Sequence, residues 1–152
     1  MPLISATLLC CEKILNEEDV FSAIRLSEVF VCPPLPPGVL PERAFVEVHI
    51  LAMAKFNIED EGTHTAELFL IRPDGETIPL GIQMKSDLST LTPKIPVAPR
   101  GLTILAQFAV LQKQMGVHYF ILKVDKEEVA RCVFTLHRVS VQGANDEAQN
   151  RI

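Results

Sequence analysis

Residues 43–56 read RAFVEVHILAMAKF, and the alternation in this stretch decides the fold. Ala44, Val46, Val48, Ile50, Ala52, Ala54 and Phe56 form an unbroken apolar line at spacing two. That is the period at which the side chains of an extended strand return to one face, so the stretch is a core strand. The same period recurs downstream in TIPLGIQMK, residues 77–85, where Ile78, Leu80, Ile82 and Met84 share a face and Thr77, Pro79, Gly81, Gln83 and Lys85 share the other. Pro79 has no N–H for a ladder hydrogen bond, which puts this strand at a sheet edge with Pro79 pointing outward. Before it, THTAELFLIRPDGET supplies a strand and a turn in which Pro73 fixes φ and Gly75 accepts a positive φ, so residues 64–85 read as a β-hairpin.

Farther along, LTILAQFAVLQ presents Leu102, Ile104, Ala106, Phe108 and Val110 on one face, a strand or a buried helix. GVHYFILKVD and EVARCVFTLHRV flank the polar connection Asp125-Lys126-Glu127-Glu128 and read as a second hairpin. There, Phe120, Leu122 and Val124 face the same core as Ala130, Cys132, Phe134 and Leu136. Upstream, Asn16 could cap a short helix begun by Glu17, Glu18 and Asp19. Ile24, Leu26, Phe30 and Cys32 equally fit a strand interrupted at Glu28, and a turn followed by a strand is the preferred reading. CPPLPPGVLP and TPKIPVAPRG are proline connectors between sheets or around an edge. About seven or eight strands separated by turn chemistry predict an all-β chain, a single antiparallel β-sandwich of immunoglobulin-like or jelly-roll-like topology over residues 1–141. A disordered polar tail is expected over 142–152.

Composition agrees: 152 residues suit one domain, 48% are hydrophobic and 22% charged, and 11 prolines with no tryptophan disfavour a helical bundle. The net charge of −5, with Lys and Arg scattered singly, offers no basic footprint for nucleic acid or anionic lipid. Gly101–Gln112, the longest uncharged run without a proline cluster, falls short of the about 20 residues a membrane-spanning helix needs. The opening TLLCCEKILNEED has no basic start and no small residue before Cys10, as an export or lipid-attachment signal requires, so a cytoplasmic location is expected. In a reducing compartment Cys10, Cys11, Cys32 and Cys132 read as free, buried thiols, and their spacing lacks a C-x-x-C zinc pattern.

Catalytic and cofactor motifs are absent from the sequence: no G-x-S-x-G, P-loop, G-x-G-x-x-G or H-E-x-x-H occurs. No cofactor or metal is expected. His64 and His118 fall in the core phase while His49, which shares a face with Glu47, and His137 fall in the opposite phase, so the four do not converge. Cys132 lies mid-strand among Ala130, Phe134 and Leu136, where burial favours an inert thiol.

The stretches LLCCEKILNEEDVFSAIRL, LFLIRPDGE and GVHYFILKVDKEEVARCVF, distributed from Ala6 to Leu136, resemble a family of small bacterial proteins of unknown function. The resemblance implies one β-sandwich domain and a bacterial source. It brings no activity and no functional residue. The second hairpin has Lys126-Glu127 where an aspartate-glycine turn would be usual.

The faces opposite the core lines should be polar if each sheet met water, yet they carry Phe45, Leu51 and Met53, Phe69 and Ile71, Leu105 and Leu111, and Tyr119 and Ile121. Either the proline connectors and the 16–24 segment cover one sheet, or a partner does. The expected function is therefore a non-enzymatic binding or assembly module acting through a sheet face, with Phe69, Ile71, Tyr119 and Ile121 as the contact residues and a protein partner or a homodimer as the occupant. One alternative is a small hydrolase or metal-dependent enzyme using histidines at one end of the sandwich; another is a phage-derived structural subunit, recognised by self-assembly into particles.

Overall fold

A computed structural model describes residues 3–17, 20–26, 28–57, 62–90 and 100–139 of the chain. They form nine strands: β1 (Leu3–Glu17), β2 (Val20–Leu26), β3 (Val29–Cys32), β4 (Phe45–Phe56), β5 (Thr63–Ile71), β6 (Thr77–Asp87), β7 (Gly101–Leu111), β8 (Gly116–Val124) and β9 (Glu127–Arg138). Single 3-10 turns occupy Pro41–Arg43 and Leu88–Thr90. The expected polar tail and most of the TPKIPVAP connector lie outside the described residues.

Two sheets face each other, one ordered β2-β1-β4-β7 and the other β3-β9-β8-β5-β6. β4 and β7 are neighbours in the first, and β5, β8 and β9 lie in the second, the places of strands B, E, C, F and G of an immunoglobulin-like sandwich. Of the two topologies left open by the sequence, the immunoglobulin-like one is realised. The segment 20–32 supplies two strands, Val20–Leu26 and Val29–Cys32, in different sheets, which raises the count to nine. β2 extends the four-stranded sheet, where it pairs with β1, rather than lying over a sheet face.

One pair departs from the antiparallel expectation: β3 runs parallel to β9, with Phe30 opposite Leu136 and Cys32 opposite Arg138. β3 arrives from the opposite sheet, so no hairpin turn dictates its direction.

The period-two lines point where the sequence puts them. Val48, Ile50, Ala52, Ala54 and Phe56 of β4 are buried in the common core with Leu102, Ile104 and Val110 of β7, Phe120, Leu122 and Val124 of β8, and Phe134 and Leu136 of β9. Rings join the layers: Phe108 of β7 stacks on Phe120 at 6.1 Å, Phe120 on Phe134 at 4.9 Å, and Phe30 meets Phe134 edge-on at 5.9 Å.

The two hairpins form as read. Gly75 has φ +88° and its N–H donates to the Arg72 carbonyl at 2.9 Å. The β8–β9 turn is only two residues long, Asp125 and Lys126, both at positive φ (51° and 70°). Asparagine or aspartate tolerates this conformation best after glycine, and Asp125 is held there by its own contacts to β5. Its N–H donates to the Thr65 carbonyl at 2.8 Å and its Oδ1 accepts from the Thr65 N–H at 3.0 Å.

Edge strands differ in how they are guarded. β6 carries outward Pro79 and a register irregularity between Glu67 and Phe69 of its partner, near Gly81 at φ +72°. Both features blunt pairing with another chain. β7 has eleven residues, no proline and no charge.

Two glycine replacements separate conformational strain from crowding. A Cβ on Gly75 meets no atom within 4 Å, so Gly75→Val is expected to cost about 1–2 kcal/mol through backbone strain alone. A Cβ on Gly101 would stand 2.7 Å from the Ala54 carbonyl oxygen, so Gly101→Ala should cost about 1–3 kcal/mol through displacement of β4 from β7. Urea unfolding midpoints of the two variants check both values.

Candidate functional site

The residues expected to contact a partner do share one surface, the outer face of the five-stranded sheet. Phe69 of β5 stands opposite Ile121 of β8, and Ile71 opposite Tyr119. Tyr119 stands opposite Val133 of β9, and Val117 opposite Thr135. They are not equally accessible. Ile121 is only 4% exposed, because it forms the floor of this face. Long cations fold over its neighbours: Lys123 Nζ lies 4.7 Å from the centre of the Phe69 ring, and the Arg131 guanidinium 5.0 Å from that of Tyr119. Arg131 is fixed in this pose by Glu128, whose Oε1 accepts from its Nη2 at 2.7 Å.

The most exposed apolar groups of the face are ones the sequence reading passed over. Val117 and Val133 are each 43% exposed, and Val29 and Val31 of β3 are exposed beside them. Their signal was present: Val133 lies in the outward phase of EVARCVFTLHR, and Val117 in that of GVHYFILKV. On the opposite sheet the outer face buries Leu51 and Cys11 and exposes Phe45, Leu105 and Leu111.

The histidines are dispersed. His118 stacks on Phe134 at 5.0 Å in the core, with Nδ1 3.0 Å from the Gly116 carbonyl. His64 stacks on Phe56 at 4.2 Å, and its Nδ1 is 2.6 Å from Asp125 Oδ2. His49 lies on the outer face of the four-stranded sheet, Nε2 3.2 Å from Glu47 Oε1, which also accepts from the Gln107 amide. His137 is exposed on β9. Among the described residues no three His, Cys, Asp or Glu side chains gather in a metal-binding arrangement. Nor is any helix there long and apolar enough to cross a membrane.

The His64–Asp125 contact has the look of a base and its orienting carboxylate, but its partners explain it structurally. Burial pushes the Asp125 carboxyl up, and the hydrogen bonds from His64 and the Thr65 N–H outweigh that and hold it below the usual carboxylate value. The pair ties the strained β8–β9 turn to β5.

A groove of about 610 Å³ opens where the two sheets meet at β1 and β9, lined by Leu8, Leu9, Cys10, Val29, Cys132 and Val133 among others. Sequence phase placed Cys132 on the core face of β9 but gave Cys10 only as a buried thiol, and it did not indicate that the two meet. Both thiols line this groove, Cys10 from the four-stranded sheet and Cys132 from the five-stranded one. The neighbouring Cys132, then burial, raises the Cys10 thiol, whereas Cys10 lowers that of Cys132 against the opposing effect of burial. Cys132 is half-buried, not enclosed.

No family model matches the chain, and no curated protein matches it. Among solved structures, it is similar to an alkylpurine DNA glycosylase from Pseudomonas fluorescens bound to DNA containing an abasic site analogue, at 8% identity and a TM-score of 0.47. That match covers 86% of this chain and 30% of the glycosylase, so the chain spans under a third of that protein's length. It is also similar to an immunoglobulin-like protein from Pseudomonas aeruginosa, at 10% identity and a TM-score of 0.35, covering 86% of this chain and 92% of the other. Neither likeness bears on function, and the sandwich assignment rests on the sheet topology.

Burial gives His118 a measurable signature. Its pKa is lowered by burial, with the Gly116 carbonyl acting in the opposite direction. The unfolded chain therefore takes up a proton near 6.5 that the folded chain resists, so this contribution to stability is complete above pH 6.5 and is lost as the pH falls below it. Wild-type urea midpoints should decline from pH 7 to pH 5 more steeply than those of His118→Phe, which keeps the ring stack and removes the titration. The other three histidines are common to both proteins, so the difference isolates His118.

Proposed function

We propose that this chain is a non-enzymatic protein-binding module whose recognition surface is the outer face of the five-stranded sheet. The observation that supports the reading is the apolar band running across that face in register, from Val133 through Tyr119 to Ile71, with Val117 beside it. A sheet that met only water would alternate apolar and polar residues along each strand, and here β8 is apolar on both faces from Tyr119 to Leu122. Tyrosine and arginine at its centre are residue types enriched where protein interfaces concentrate their energy. The two cations that overlie the rings are neutralised or occupied within the face, which favours a partner of apolar and aromatic chemistry over a polyanion. Phe69, Ile71 and Tyr119 contribute contact area, and Ile121 is the floor that holds them level.

This division of roles sets the choice of probe. Ile121→Glu would place a charge at a buried position and is expected to unfold the chain. Val117→Glu combined with Val133→Glu leaves the floor intact and should keep the wild-type urea midpoint within about 0.5 kcal/mol, as surface substitutions do. Used as baits against a lysate of the source organism, wild type should retain a stoichiometric protein, or a second copy of itself in sedimentation, that the double variant loses. Equal retention by both baits overturns this surface.

A further inference from the structure

We propose that Cys10 and Cys132 form a redox-active dithiol that a small hydroperoxide entering the β1–β9 groove converts to an intersheet disulfide. Three features of the fold bring this about. β2 pairs with β1 only from Cys11 onward, and β3 pairs with β9 only from Val29 opposite Thr135 onward. The edges of β1 and β9 around Leu8–Cys10 and Arg131–Val133 are therefore left uncovered on the same side of the sandwich, and they line the groove together. Although they belong to opposite sheets, β1 and β9 approach within 8 Å between Cα atoms, and both thiols line the groove between them. Finally, the two sulfurs are unequal: Cys10 is buried and Cys132 is partly open to the groove.

The inequality assigns the steps. Cys132, the more accessible of the two and the one whose thiolate the neighbouring Cys10 favours, is the sulfur that attacks. It attacks one peroxide oxygen; the O–O bond breaks, the departing oxygen leaves as water or an alcohol after taking a proton, and Cys132 becomes a sulfenic acid. The Cys10 sulfur then attacks the Cys132 sulfur: an S–S bond forms, the S–O bond breaks, and the hydroxide leaves as water with the Cys10 proton. The two thiols together lose two electrons and two protons, and the hydroperoxide is reduced. A low-molecular-weight thiol returns the pair to the reduced state by exchange.

The remaining cysteines provide an internal control. Cys11 points to the other face of β1, fully buried, with Sγ 3.4 Å from the Lys13 carbonyl and 3.7 Å from that of His49. Cys32 is buried in the core. Burial raises both thiols.

The test treats the reduced, folded chain with an equimolar amount of hydrogen peroxide, alkylates it in denaturant and maps peptides by mass. Two of four thiols should be lost, with the peptides of Cys10 and Cys132 joined and two hydrogens lighter, and the oxidised chain should unfold at a higher urea concentration because its first strand is tied to its last. Cys10→Ala should stop at a sulfenic acid on Cys132 that dimedone traps, and Cys132→Ser should keep its three thiols. Should Cys10→Ala fail to fold, the wild-type map with dimedone present carries the same information, since the adduct must appear on Cys132 first. Survival of all four thiols, a first adduct on Cys11 or Cys32, or a Cys132–Cys132 link between chains in place of the internal one overturns the proposal.

Discussion

A file of stacked rings crosses this sandwich from one sheet to the other, and the remaining packing is arranged around it. Phe108, Phe120 and Phe134 succeed one another at ring-centre spacings of 6.1 and 4.9 Å, with Phe30 closing the file edge-on and His118 laid against Phe134. Aromatic pairs in such geometries contribute about 0.5–1.5 kcal/mol beyond the area they bury. Their size also fixes how far apart β7 and β8 stand. At one side of the file β1 and β9 draw close, and there the core is filled by the smaller Cys10 and Cys132. The groove lies at that side, where β1 and β9 meet.

The strands themselves were readable because burial of one face imposes period two, and the core-facing lines of β4 through β9 follow it. Turn chemistry was readable for the same local reason at Pro73-Asp74-Gly75. Three things were not. The break between β2 and β3 carries no glycine or proline, and the change of sheet there depends on which edge remains open, a property of the assembled fold. The parallel docking of β3 on β9 joins segments far apart in the chain. The encounter of Cys10 with Cys132 depends on the offset between two sheets, for which side-chain period holds no information.

The candidate surface shows the same limit in another form. Phase alone put Phe69, Ile71, Tyr119 and Ile121 on one outer face, and they do lie there. Accessibility is set by what folds over each of them: Lys123 and Arg131 bend across the aromatic rings while their charged ends stay in water, as long cationic side chains commonly do. A residue's phase gives its side of the sheet, and its neighbours' lengths decide how much of it a second protein would touch.

The pairing of β3 with β9 has a consequence in time. Residues 29–32 leave a ribosome about a hundred residues before 135–138, which is their only ladder partner among the described residues. Until that last strand emerges, the first sheet has no finished opposite layer and Phe30 has no ring to meet. Contacts this distant in sequence slow the search for the native state and prolong the life of partly built forms with bare apolar surface. For this chain, assembly of the second sheet waits on β9, which must thread between β8 and a strand made more than a hundred residues earlier.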